Sequence, residues 1–156
     1  MQSYEKVKHI APVYPESGAS DHPSCIIAGW GTTEMRSLSP VLLQTNTTIF
    51  SNNFCNTQTR MKESQIMEEF AFCAGVVKEQ AKSRYNGDAC QGDSGGPLYC
   101  NVDGNTVQYG IISWGKGCGI RNSPGIYTNI AAISDWIRNT VAADGIGQTY
   151  PNFQTG

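Results

Sequence analysis

Gly92-Asp93-Ser94-Gly95-Gly96-Pro97 says more about this chain than any other six residues in it. A serine set among glycines, just after Ala89-Cys90-Gln91, has the make-up of a tight, cysteine-pinned turn that presents a hydroxyl. A serine hydroxyl is a weak nucleophile until an imidazole takes its proton and a carboxylate orients that imidazole. The chain has two histidines, His9 and His22, and neither sits where such a base would be expected. A nucleophile is therefore legible here, while its base is not.

Working outward, the chain reads as one mostly β unit. Residues 25–30 form a short buried strand closed by Gly31, and residues 41–50 alternate loosely and are rich in Thr and branched side chains. Residues 51–67 are polar and suit a short helix; residues 70–77 look extended, and residues 78–87 form a charged loop. Residues 98–101 and 106–114 suggest a hairpin about Asp103-Gly104, and residues 125–130 a further strand. Ile133, Trp136, Ile137 and Val141 then recur at helical spacing, with Ser134 or Asp135 available as a cap. Pro12, Pro15, Gly18 and Pro23 break up residues 1–24, and residues 143–156 read as a loose tail. Short strands followed by one terminal helix imply an all-β barrel or sandwich.

Composition narrows the setting. A chain of 156 residues buries a real core, and a net charge of -2 without long single-sign runs argues against a nucleic-acid partner. No apolar run approaches a membrane span, and no signal peptide is visible at the start. Six cysteines, Cys25, Cys55, Cys73, Cys90, Cys100 and Cys118, show no CxxC spacing, so zinc is not expected. Their even number favours disulfides and an oxidising compartment, and spacing alone leaves the pairing open. Asn46-Thr47-Thr48 is a glycosylation candidate at Asn46.

Formally, Gly92 to Gly96 also fits the nucleophile elbow of α/β-hydrolases, but that fold needs a histidine after the serine, and none follows Ser94. The longer string from Asp88 to Leu98 resembles the trypsin/chymotrypsin-like serine proteases. Other motifs follow in that family's order: Cys25-Ile26-Ile27-Ala28-Gly29-Trp30-Gly31, Phe72-Cys73-Ala74-Gly75, Ser113-Trp114-Gly115, Gly117-Cys118, Pro124-Gly125-Ile126-Tyr127 and Asp135-Trp136-Ile137. The resemblance implies the second six-stranded Greek-key barrel of such a protease with its C-terminal α-helix. Residues 1–24 would be the inter-barrel crossover, residues 25–142 the barrel and helix, and residues 143–156 the tail.

It further implies disulfides Cys25–Cys100, Cys55–Cys73 and Cys90–Cys118. Ser94 would be the nucleophile, with the N–H groups of Gly92 and Ser94 forming the oxyanion hole. Asp93 would pair with the amino terminus made by activation cleavage. Asp88 would be the base of the primary specificity pocket, selecting Arg or Lys, with Gly115 and Gly125 as its open walls. Ser113 and Trp114 would offer backbone to an extended substrate. No cofactor or metal is implied, and Pro124 stands where sodium-binding relatives carry an aromatic residue.

The sequence departs from the family where the base should be. The strings that carry the family's histidine and aspartate are missing, and both belong to the first barrel. The reading is therefore the serine-bearing half of a secreted trypsin-like endopeptidase, largely inactive alone. Its expected partners are an N-terminal half carrying His and Asp, peptide or protein substrates with Arg or Lys, and protein protease inhibitors. The alternative is a non-catalytic binding module on a protease fold.

Overall fold

A computed structural model describes residues 9–10, 25–58, 69–76, 87–102 and 104–143. Seven strands and two helices follow in the order β1 (His9–Ile10), β2 (Cys25–Gly29), β3 (Leu43–Phe50), α1 (Asn52–Gln58), β4 (Ala71–Gly75), β5 (Pro97–Val102), β6 (Asn105–Trp114), β7 (Gly125–Asn129) and α2 (Ile130–Ala143). The period-two burial of β2, with Cys25 and Ile27 inward, is what a strand lining a core requires.

The strand neighbours run β1-β6-β5-β2-β3-β4-β7, and β7 also pairs with β6. That last pairing closes β2 to β7 into a six-stranded antiparallel barrel. Within it β5 returns to lie beside β2, so the neighbours β5-β2-β3-β4 trace a Greek key. Closure leaves the barrel without free edges. Strand β1 adds a parallel pairing of His9 and Ile10 with Val107 and Gln108 of β6. Ordered pairing at this point departs from the irregular reading of residues 1–24.

The interior is filled by Cys25, Ile27, Ile49, Phe72, Leu98 and Tyr109, among others. Phe72 and Tyr127 stack with ring centroids 5.6 Å apart. Cys25 is bridged to Cys100, Cys55 to Cys73 and Cys90 to Cys118. The first of these joins directly opposed residues of β2 and β5 inside the core.

Helix α1 begins at a Ser51 cap, whose Oγ accepts the Phe54 N–H at 3.2 Å. Helix α2 starts earlier than its apolar repeat suggests. Its cap is Asn129, whose Oδ1 accepts the Ala131 N–H at 3.0 Å, in place of Ser134 or Asp135. Strand β7 runs straight into the helix, so no Gly or Pro marks the boundary. Most of the charged loop at 78–87 and the tail after residue 143 lie outside the described residues. Among the described residues, no helix is long and apolar enough to cross a membrane.

Candidate active site

The turn that carries Ser94 is assembled from its backbone. The Asp93 N–H donates to the Cys90 carbonyl at 3.0 Å, and the Gly96 N–H donates to the Asp93 carbonyl at 2.9 Å. The Gly95 N–H reaches Ile112 O of β6 at 2.9 Å, and the Ile112 N–H returns to Gly96 O at 2.9 Å. Gly92 holds φ at +96°, a left-handed conformation that a side chain would strain. Ser94 is exposed on this turn. Asp93, Gly95 and Gly96 commit their N–H groups, whereas those of Gly92 and Ser94 take no acceptor among the described residues. Two uncommitted donors flanking an exposed hydroxyl can stabilise an oxygen that becomes negative.

Asp93 itself faces inward. Its Oδ1 accepts the Gly31 N–H at 2.7 Å and its Oδ2 accepts the Cys90 N–H at 3.0 Å. A Cβ at Gly29 or Gly31 would overlap this carboxylate, so a side chain at either end of Gly29-Trp30-Gly31 enters only by displacing it. Thr32 reinforces the contact by donating its N–H to Gln91 O at 2.8 Å. The role of the two glycines was invisible at the level of sequence spacing. Their signal is a pair of glycines straddling a tryptophan at the end of a buried strand.

Asp88 is clamped from the opposite segment. Its Oδ2 accepts the Gly119 N–H at 2.8 Å, and its Oδ1 accepts the Ala89 N–H at 2.9 Å. Its carboxyl is pushed up to about 6, chiefly by burial and least by the Asp93 charge, against the downward pull of the Gly119 and Ala89 N–H groups. The Tyr127 hydroxyl is raised too, chiefly by burial and then by the Asp88 and Asp93 charges. Cys90–Cys118 ties the same two segments together, with Cα atoms 5.4 Å apart. The facing segment is braced in turn by Ser123, whose Oγ donates to Lys116 O at 2.8 Å.

Gly115 and Gly125 lie side by side, since a Cβ at Gly115 would stand 3.7 Å from Gly125 Cα. Beyond them, β6 bulges between Ile112 and Trp114, leaving Ser113 and Trp114 exposed. Asp88 and Asp93 both face a cavity of about 750 Å³ that Gly31, Arg36, Gln91 and Gly119 also line. Ser94, Gly92, Ser113, Trp114, Gly115 and Gly125 do not line that cavity. Asp88 and Asp93 thus share a lining, while Ser94 stands exposed on the turn.

No base stands beside Ser94 among the described residues. His9 pairs with Val107, five positions before Ile112, where the serine turn is anchored, or about 16 Å along β6. His22 lies outside the described residues. Among the described residues no cluster of His, Cys, Asp or Glu suits a metal ion.

Comparison with known proteins agrees with this arrangement. The sequence profile of the trypsin family, described as Trypsin, matches residues 2–137. Human testisin is 35% identical over 154 residues, covering 94% of this chain and 47% of testisin. The chain therefore spans about half the length of that curated relative. A closed six-stranded barrel with a terminal helix, a disulfide-pinned Gly-Asp-Ser-Gly-Gly turn and these two matches together place the chain in the trypsin family of serine proteases.

Proposed function

We propose that this chain is the serine-bearing half of an endopeptidase that cleaves after Arg or Lys. Ser94 attacks the peptide carbonyl, and the N–H groups of Gly92 and Ser94 receive the charge that develops on its oxygen. A histidine and an aspartate on an N-terminal half supply the base and its orienter; the proton passes to the leaving amine, and water then releases the acyl group. Asp88 binds the cationic side chain, with Gly115 and Gly125 leaving room beside it and Ser113 to Gly115 pairing with the extended substrate. Asp93 receives the amino terminus produced by activation. Protein inhibitors that present Arg or Lys would use the same surface. The reading places the protein outside the cell, in keeping with its three disulfides.

The observation that supports this reading is the turn itself: an exposed Ser94 with the uncommitted N–H groups of Gly92 and Ser94, on a turn that Asp93 ties to Gly31. The isolated chain is expected to turn over an arginine ester slowly or not at all. Stopped-flow ester hydrolysis tests this; rapid turnover abolished by Ser94→Ala overturns the claim that the chain needs a second half. A binding-module reading draws on the exposed apolar side chains between Trp30 and Leu43. It predicts tight capture of an Arg-presenting protein by the lone chain, with affinity unchanged in Ser94→Ala and no hydrolysis in any assembly.

A further inference from the structure

We infer that Asn46 is an N-glycosylation site whose oligosaccharide lies over the outer face of the barrel. The inference rests on the reading that the chain enters a secretory compartment. Asn46 stands in β3, exposed, within Asn46-Thr47-Thr48. Side chains of a strand alternate between faces, so Thr48 shares the face of Asn46 while Thr47 points into the barrel and is buried. The hydroxyl two residues on, which the modification requires, therefore lies on the acceptor's own side. Asn52 and Asn129, by contrast, commit their carboxamides to the chain, donating to Ala71 O at 3.4 Å and Glu69 O at 3.2 Å.

The register gives the attached sugar a bed. Asn46 is opposite Ile26, Ile26 is opposite Tyr99, and Tyr99 is opposite Gln108. Directly paired residues share a face, so these four form one row across β3, β2, β5 and β6. Ile26 and Tyr99 are only half-buried there. With strands about 4.8 Å apart, the first sugars on Asn46 reach over Ile26 toward the Tyr99 ring. The glycan thereby covers apolar surface that the barrel leaves outward.

The donor is a lipid-pyrophosphate-linked oligosaccharide. The Asn46 carboxamide nitrogen attacks the anomeric carbon, the bond from that carbon to the pyrophosphate oxygen breaks, and an N–C bond forms. The nitrogen loses one proton, and the lipid pyrophosphate departs with the bonding pair. No oxidant or reductant takes part.

Translation of the chain behind a cleavable leader, in the presence of glycosylation-competent microsomes, tests the proposal. Translocated chain should gain one glycan removable by an amidase that converts Asn46 to Asp. Asn46→Gln and Thr48→Ala should abolish it, and Thr47→Ala should retain it. Mapping the disulfides of the same product separates the two readings. Translocated chain with all three bridges and no glycan overturns the site alone. A glycan confined to chains with incomplete or wrong bridges also overturns it, because the folded face would then not admit one. Because the leader sends the chain in, neither result depends on where the protein naturally resides, so a natural copy found in a reducing compartment would fail the location reading separately.

Discussion

The two continuations of strand β2 differ sharply. At Cys25 and Ile27 the strand is buried, hydrogen-bonded on both sides and bridged through Cys25 to Cys100 of β5. Just past Gly29 the chain leaves the barrel with Trp30 57%, Met35 85%, Leu38 65% and Val41 59% exposed. The first region is complete within the chain. The second carries apolar side chains that the chain does not cover, next to the Gly31 contact that seats Asp93. A barrel that closes its own core thus leaves the flank beside the Asp93 contact apolar and exposed, which is where the second half proposed above would pack.

The contrast can be broken most severely at the bridge. Replacing Cys25 and Cys100 by Ala should cost about 4 kcal/mol, because the loop it closes is long; denaturant unfolding would measure it. A cost near zero would mean that the complete region is not the stabilising one. At the junction, Gly31→Ala should cost about 2–3 kcal/mol, since the added Cβ displaces the Asp93 carboxylate and breaks a charge-assisted bond. The same variant should lose affinity for any ligand that contacts the serine turn, and a calorimetric titration reads that loss.

Asp88 sharpens the contrast through pH. Its folded pKa, raised to about 6, lies above the unfolded value near 3.8. Ionised Asp88 therefore costs folded stability. The penalty is absent below about pH 4, grows as pH rises toward 6, and is constant above that. Relative to Asp88→Asn, the wild type should lose on the order of 1–3 kcal/mol between pH 4 and pH 7, seen in paired unfolding curves. Binding of an arylamidine at this carboxylate should run the opposite way, weakening about tenfold per unit as pH falls below about 6. The smallest effect belongs to the open flank. Leu38→Ser with Val41→Ser should change the stability of the lone chain by no more than about 0.5 kcal/mol, while sedimentation should show less self-association.

Much of this architecture is written in local pattern. The loose alternation in 41–50, the Asp103-Gly104 dipeptide and the short apolar run after Cys25 announce strands because each is a property of neighbouring residues. The start of α2 is not announced: Thr128 and Asn129 serve β7, and Asn129 caps the helix with the same residue. Ser94 is legible because its glycines are beside it. The Asp93–Gly31 and Asp88–Gly119 contacts are not, since each joins residues far apart in the chain that meet only once the barrel closes. Nor does local sequence tell that Asp88 and Asp93 line one cavity together with Gly31 and Gly119. That shared lining follows from the Gly31 and Gly119 N–H groups, which reach Asp93 and Asp88 only in the folded barrel.

Arginine-ester hydrolysis, measured before and after adding a separately folded N-terminal barrel that carries the histidine and aspartate, tests the borrowed-base claim most directly. Turnover should be negligible for the chain alone, appear in the complex, and be lost again in a complex built with Ser94→Ala. Efficient hydrolysis by the lone chain, or a demonstrably assembled complex that stays inert, would contradict it.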